Sequence, residues 1–258
     1  MLGICVAGAT GWAGSAVVRG VLDADDLGLR SAVARSAAGQ DLRGAPVFGH
    51  VREALDDVDV LIDYTSHLVA KENVLAAVER GVAVVVGTSG LCADDFAEID
   101  AAARDRGVGV VAAGNFSLTA AMAQAAALLA ARHLPHWEIV DYASATKPDV
   151  PSGTARELAE RLGEVRHPVR GRPLEETDGP REARGASVGG AQVHSVRLPS
   201  FVVSTEVVFG LPDERLSIRH DAGGSPAPYV VGTLLAARAA PERVGLTRGL
   251  DTLLLGQA

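Results

Sequence analysis

Lysine is almost missing from this chain: of 258 residues, only Lys71 and Lys147 carry an ammonium side chain. Cysteine is equally scarce, with Cys5 and Cys92 alone, aromatic residues make up 4%, and 32 acidic residues face 24 Lys and Arg for a formal charge of -8. Two cysteines, one in an expected buried strand and one after a turn, supply neither a disulfide framework nor a metal set, and a reducing cytoplasm is the expected location. The histidines at 50, 67, 133, 136, 167, 194 and 220 have no spacing that groups metal ligands, so no metal is expected. A net acidic surface has the wrong sign for nucleic acid, whose phosphates need a basic face. No apolar run reaches the ~18 residues that would span a bilayer, and residues 1–20 lack the basic start of a signal peptide. With so few cations, a small anionic substrate must be held by a few placed Lys or Arg side chains and by backbone amides.

What is abundant is apolar sequence, at 48%, enough for one large core or two modest ones. Short apolar runs recur at Leu2–Ala7, Leu29–Ala34, Val58–Tyr64, Val82–Val86 and Val108–Ala112, each reading as a strand buried on both faces. Helical spacing lies between them at Ser15–Leu22, Ala70–Arg80 and Ala93–Arg106. This order implies an α/β, doubly wound parallel sheet, with ligands at the carboxyl ends of the strands. The first strand-to-helix turn, GATGWAG, places Gly8, Gly11 and Gly14 where backbone must approach a pyrophosphate at a helix N-terminus. Where a preference for NAD would place an acid after the second strand, the chain has Arg35 and Ser36, suited to a 2′-phosphate, and NADPH is the expected cofactor over NADH. Gly87-Thr88 and Gly114-Asn115-Phe116, at later strand ends, could meet a nicotinamide carboxamide, with Phe116 as a flat apolar neighbour.

From Trp137 the pattern becomes β-branched alternation, at Glu138–Tyr142, Gln192–Arg197, Val202–Phe209 and Arg215–His220, interrupted by one helix after Ser152 and a long loop through 165–190. This predicts a mixed or antiparallel sheet in a separate α+β part. A final helix at Pro226–Ala240 and an apolar tail from Leu250 would return to the first part. The expected division is a dinucleotide-binding domain of residues 1–115 and 225–258, with residues 116–224 inserted and the site between the two.

Taken in order, GATGWAG, DYTS, VVGTSGL, AGNFS and above all KPDVPSGTA resemble the 4-hydroxy-tetrahydrodipicolinate reductase family of lysine biosynthesis. The likeness runs through RGASVGG and ERLSIRHDA and covers almost the whole chain. It implies a Rossmann-type nucleotide domain, an α+β substrate domain that forms a homotetramer, and hydride transfer from NADH or NADPH to a small carboxylated imine. By position, it implies that Gly8, Thr10, Gly11, Trp12 and Ala13 cradle the pyrophosphate, that Arg35 meets the adenosine ribose or its phosphate, and that Gly87-Thr88 and Gly114-Asn115-Phe116 line the nicotinamide. Lys147, Ser152, Gly153 and Thr154 would hold the substrate.

The chain departs from the family just before that lysine, where a pair of histidines, the first the usual proton donor, is replaced by Ala143 and Ser144. Alanine cannot donate a proton, and a serine hydroxyl is a weak acid near pH 7. Val203-Ser204-Thr205 and His220-Asp221-Ala222 also replace the family's Gly-Glu-His and His-Lys-Ala. Lys147, Tyr142 and His194 are the substitute catalytic candidates. The leading expectation is an NAD(P)H-dependent reductase of a cyclic or amino-acid-derived imine other than the lysine-pathway substrate, an imine reductase of specialised metabolism. A diaminopentanoate-type amino-acid dehydrogenase, an authentic 4-hydroxy-tetrahydrodipicolinate reductase and a non-catalytic NADP-binding protein remain open beside it.

Overall fold

The computed structural model describes residues 1–256; the last two residues of the segment expected at 225–258 lie outside the described residues. In chain order the elements are β1 (Leu2–Ala7), α1 (Trp12–Leu22), β2 (Leu27–Val33), β3 (Asp41–Leu42), β4 (Ala45–Phe48), β5 (Val60–Asp63), α2 (His67–Glu79), β6 (Ala83–Val86), α3 (Ala93–Arg106) and β7 (Gly109–Ala112). They continue as α4 (Leu118–Ala131), β8 (His136–Ala143), α5 (Gly153–Val165), β9 (Ala186–Val188), β10 (Ala191–Arg197), β11 (Val203–Leu211), β12 (Glu214–Asp221), α6 (Ala227–Ala239), β13 (Gly245–Arg248) and α7 (Leu250–Leu255). The chain divides into two compact units, Met1–Leu118 with Ser225–Ala258, and Thr119–Gly224.

In the first unit an eight-stranded sheet runs β13-β7-β6-β5-β1-β2-β4-β3. Every pair is parallel except β3 with β4. All residues of β5, β6 and β7 are buried, as apolar runs with no polar alternation require. Burying each Val, Leu or Ile side chain there stabilises by about 1.5–3 kcal/mol. The order reverses beside β1, so the carboxyl ends of β1, β2 and β5 open on one edge.

In the second unit the sheet runs β12-β11-β8-β10-β9, with β8 and β10 parallel and the other pairs antiparallel. β8 alternates, with Trp137, Ile139, Asp141 and Ala143 on its buried face. Ala155, Leu158, Ala159 and Leu162 of α5 recur at three and four and close over that face, with Phe209 and Val193 completing the core.

Five elements have no counterpart in the sequence-based expectations, the two-residue β3 among them. α4 has two polar residues, Thr119 and Gln124, among fourteen, so no polar stripe marks an outer side. β4 is four residues long and contains Pro46, which near a sheet edge costs little. β9, with three residues, interrupts the end of the expected 165–190 loop, and β13, with four, precedes the expected apolar tail. Among the described residues no helix is long and apolar enough to cross a membrane.

Candidate active site

The turn from β1 into α1 is forced by its glycines. Gly8 has φ +79°, a region costly for side-chain-bearing residues, and a Cβ there would strike the Tyr64 carbonyl. A Cβ on Gly14 would strike the Gly8 carbonyl, so the loop folds against the helix only with glycine at both positions. Gly8 N donates to Val33 O and Gly11 N to Gly8 O, both at 2.9 Å, and α1 begins at Trp12 with no side chain capping it. These bare helix amides and the close-lying backbone fit a pyrophosphate. Trp12 is half exposed and meets Tyr229 edge-on, with ring centroids 5.8 Å apart.

A cavity of about 910 Å³ lies along this edge, lined by Gly8, Thr10 and Gly11 of the turn and by Arg35, Ser36 and Tyr64. Trp12, Ala13, Gly87, Thr88, Gly114, Asn115 and Phe116 are not on its wall. The Gly87-Thr88 turn is held by Asp63, a fully buried carboxylate at the end of β5 that the sequence reading did not single out. Asp63 Oδ1 accepts from Thr88 Oγ1 at 2.5 Å, Thr65 Oγ1 at 2.7 Å and Thr65 N at 3.0 Å, while Oδ2 accepts from Asn73 Nδ2 at 2.8 Å. Phe116 is buried against Tyr64, with centroids 6.3 Å apart, so its ring packs in the core and does not line the cavity. The Tyr64 hydroxyl lies 2.7 Å from Thr233 Oγ1, which donates to Tyr229 O, and burial raises the Tyr64 pKa. Asn115 Oδ1 accepts from Ser117 N at 2.9 Å.

In the second unit, Ser152 caps α5: its Oγ accepts from Ala155 N at 3.3 Å, and Gly153 and Thr154 form the first turn. Asp141, fully buried on β8, anchors this start, because its Oδ2 accepts from Ser152 N at 2.9 Å, Ser195 Oγ at 3.0 Å and Arg197 Nη2 at 2.8 Å. Arg197 Nη2 also donates to Asp149 O at 2.9 Å and so ties the lysine loop to the same carboxylate. Lys147 Nζ pairs with Asp149 Oδ1 at 2.8 Å, both about one-quarter exposed, and Lys147 N donates to Ser144 O at 3.0 Å. The structure thus brings Lys147, Ser152, Gly153 and Thr154 into one loop and helix start. Asp141 and Arg197, which hold that arrangement, were missed in the sequence because they meet only when β8 pairs with β10.

The substitute acids fare differently. His194 Nε2 lies 2.7 Å from Glu138 Oε2, and Glu138 also pairs with Arg184. His194 sits three residues before Arg197 on β10, about 10 Å back along the strand, so the structure does not bring it to the Lys147 loop. Tyr142 projects from the other face of β8 from Asp141, donates to Glu206 at 3.2 Å and lies under the Arg219 guanidinium, 4.7 Å from the ring centroid. Partial burial, then Glu206, raises its pKa and makes it a poorer proton donor than an ordinary phenol. His220 on β12 shares a cross-strand row with Asp141 through Thr205. It is buried, its Nδ1 has no partner among the described residues, and desolvation lowers its pKa. No group of three or more metal-ligating side chains occurs among the described residues.

A doubly wound sheet with a glycine turn at its first helix defines a dinucleotide-binding enzyme, and sequence comparison makes the class specific. The N-terminal pattern of dihydrodipicolinate reductases matches residues 2–116, and their C-terminal pattern matches residues 114–254. The 4-hydroxy-tetrahydrodipicolinate reductase of Moorella thermoacetica is 38% identical over 262 residues, covering 97% of each chain. That of Streptococcus pneumoniae is 35% identical over 252 residues, covering 97% of this chain and 98% of its own. A dipicolinate-bound dihydrodipicolinate reductase from Paenisporosarcina sp. TG-14 superimposes with a TM-score of 0.77 at 26% identity, covering 98% of this chain and 99% of that one. The chain belongs to the dihydrodipicolinate reductase family and is a pyridine-nucleotide-dependent oxidoreductase acting on a C=N bond.

Proposed function

We propose that this protein reduces a small carboxylated imine, cyclic or derived from an amino acid, and that its substrate differs from the one for which its relatives are named. The observation that carries this reading is the loop ahead of Lys147. Ala143 is fully buried there, and the Ser144 hydroxyl is engaged with Thr146 Oγ1 at 3.1 Å, so no imidazole stands where the family has two. A carbonyl would need a protein acid to meet its developing alkoxide. An iminium carbon already carries positive charge, and hydride addition to it proceeds without one. A missing histidine pair therefore removes less from imine chemistry than from carbonyl chemistry.

Lys147 and the amides at the start of α5 would hold the substrate carboxylate, with Asp141 and Arg197 fixing their positions. Gly8, Thr10, Gly11, Trp12 and Ala13 would hold the pyrophosphate, and Arg35 with Ser36 the 2′-phosphate, which favours NADPH over NADH. A bound reduced nicotinamide supplies the hydride. The same reading takes the enzyme as a cytoplasmic homotetramer, so sedimentation should give four times 26.5 kDa. Its substrate side is tested by expressing the gene in a bacterium that lacks its own lysine-pathway reductase. Continued lysine auxotrophy, with folded protein present in the extract, is expected; growth without lysine would overturn the reading.

A further inference from the structure

The unanticipated strand β4 runs parallel to β2, with Ala32 opposite Val47 and Val33 opposite Phe48. Ala34 N then donates to Phe48 O at 3.0 Å. The residues that leave these two ends, Arg35 and Ser36 from one and Gly49 and His50 from the other, follow directly on neighbouring paired strands. All four line the same 910 Å³ cavity as the glycine turn. Arg52 and Glu72 are the other charged groups on its wall, and Arg52 is engaged with Glu79 at 3.0 Å. The side chains of Arg35, Ser36 and His50 have no hydrogen-bond or ion-pair partner among the described residues. No Asp or Glu occurs from Ala34 to Gln40 to receive ribose hydroxyls in their place.

We infer that His50 is a specificity residue for the adenosine 2′-phosphate, donating to it from the β4 end while Arg35 forks onto it from the β2 end. This rests on the NADPH reading above and extends it to a residue on a different strand. A phosphate monoester loses its second proton near pH 6, so near neutral pH the ligand offers acceptor oxygens to donors from both strand ends.

The test is calorimetric titration of the full-length protein with NADPH and with NADH at pH 6.5, for the wild type, His50→Gln and Arg35→Ala. His50 is exposed, so the glutamine variant keeps the fold. At pH 6.5, His50→Gln should weaken NADPH binding about five- to tenfold, the size of one charge-assisted contact at an exposed site, and leave NADH within about twofold. If the wild type binds both nucleotides equally, the NADPH reading and this inference both fall. If it prefers NADPH and His50→Gln keeps that preference, or loses both nucleotides alike, only the assignment of His50 falls.

Discussion

Replacing Asp141 with asparagine removes the negative charge 2.8 Å from Arg197 Nη2 and leaves the neighbouring geometry in place. Arg197 keeps 16% of its side chain in solvent and Asp141 none, so the guanidinium would stay largely buried opposite a neutral amide. Breaking a buried pair from one side costs about 3–5 kcal/mol, and the residual exposure of Arg197 argues for about 3. The chain has two tryptophans: Trp137 is buried in the Thr119–Gly224 unit, and Trp12 is half exposed in the other. In a Trp12→Phe background, urea unfolding followed by fluorescence therefore reports on the unit that holds Asp141. With a slope of about 2 kcal/mol per molar, the midpoint should fall by about 1.5 M. A paired Asp141→Leu, Arg197→Met variant, which removes both charges, should recover at least half of that loss. A midpoint within about 0.3 M of the parent for Asp141→Asn would refute the view that this pair holds the substrate loop.

If Lys147 holds the substrate carboxylate as proposed, Lys147→Met should raise KM for a carboxylated imine about 10- to 100-fold while leaving NADPH affinity unchanged; steady-state kinetics and calorimetry separate the two. Gly14→Ala drives a methyl into the Gly8 carbonyl and should weaken NADPH at least about tenfold, measured by titration. Tyr64→Phe loses the bond to Thr233 while Thr233 keeps its bond to Tyr229 O, so stability should drop by about 1 kcal/mol in urea unfolding. Desolvation holds the folded-state pKa of His220 below its ordinary value of 6.5. The stability from keeping this imidazole neutral is thus present above pH 6.5 and lost as pH falls through the lowered folded value. Unfolding midpoints measured from pH 7.5 to 5 should fall less steeply for His220→Gln than for the wild type.

The parts of this molecule that were legible in the sequence are those governed by local pattern. β5, β6 and β7 announce themselves as apolar runs because both faces are covered, and Gly8 and Gly14 because the turn admits nothing larger. Ser152 marks the start of α5 by its capping chemistry. The parts that were not legible depend on partners far away in the chain. Asp141 reads as an ordinary polar residue until β10 brings Arg197, 56 residues on, against it. Asp63 likewise acquires its role from Asn73 and Thr88. His194 had the right chemistry for a proton donor and the wrong place, since strand register seats it beside Glu138. Pro46 hid β4, and with it the adjacency of His50 and Arg35.

The central claim is that the loop from Ala143 to Lys147 serves imine reduction on a substrate other than that of the named relatives. Its most direct measurement is kcat/KM of the purified enzyme with NADPH, for 4-hydroxy-tetrahydrodipicolinate and for a cyclic imine that bears one carboxylate, such as Δ1-piperideine-2-carboxylate. The account predicts a ratio of at least about 100 in favour of the simple imine, some 2.7 kcal/mol of transition-state discrimination. A ratio at or below one, with 4-hydroxy-tetrahydrodipicolinate the better substrate, would contradict it.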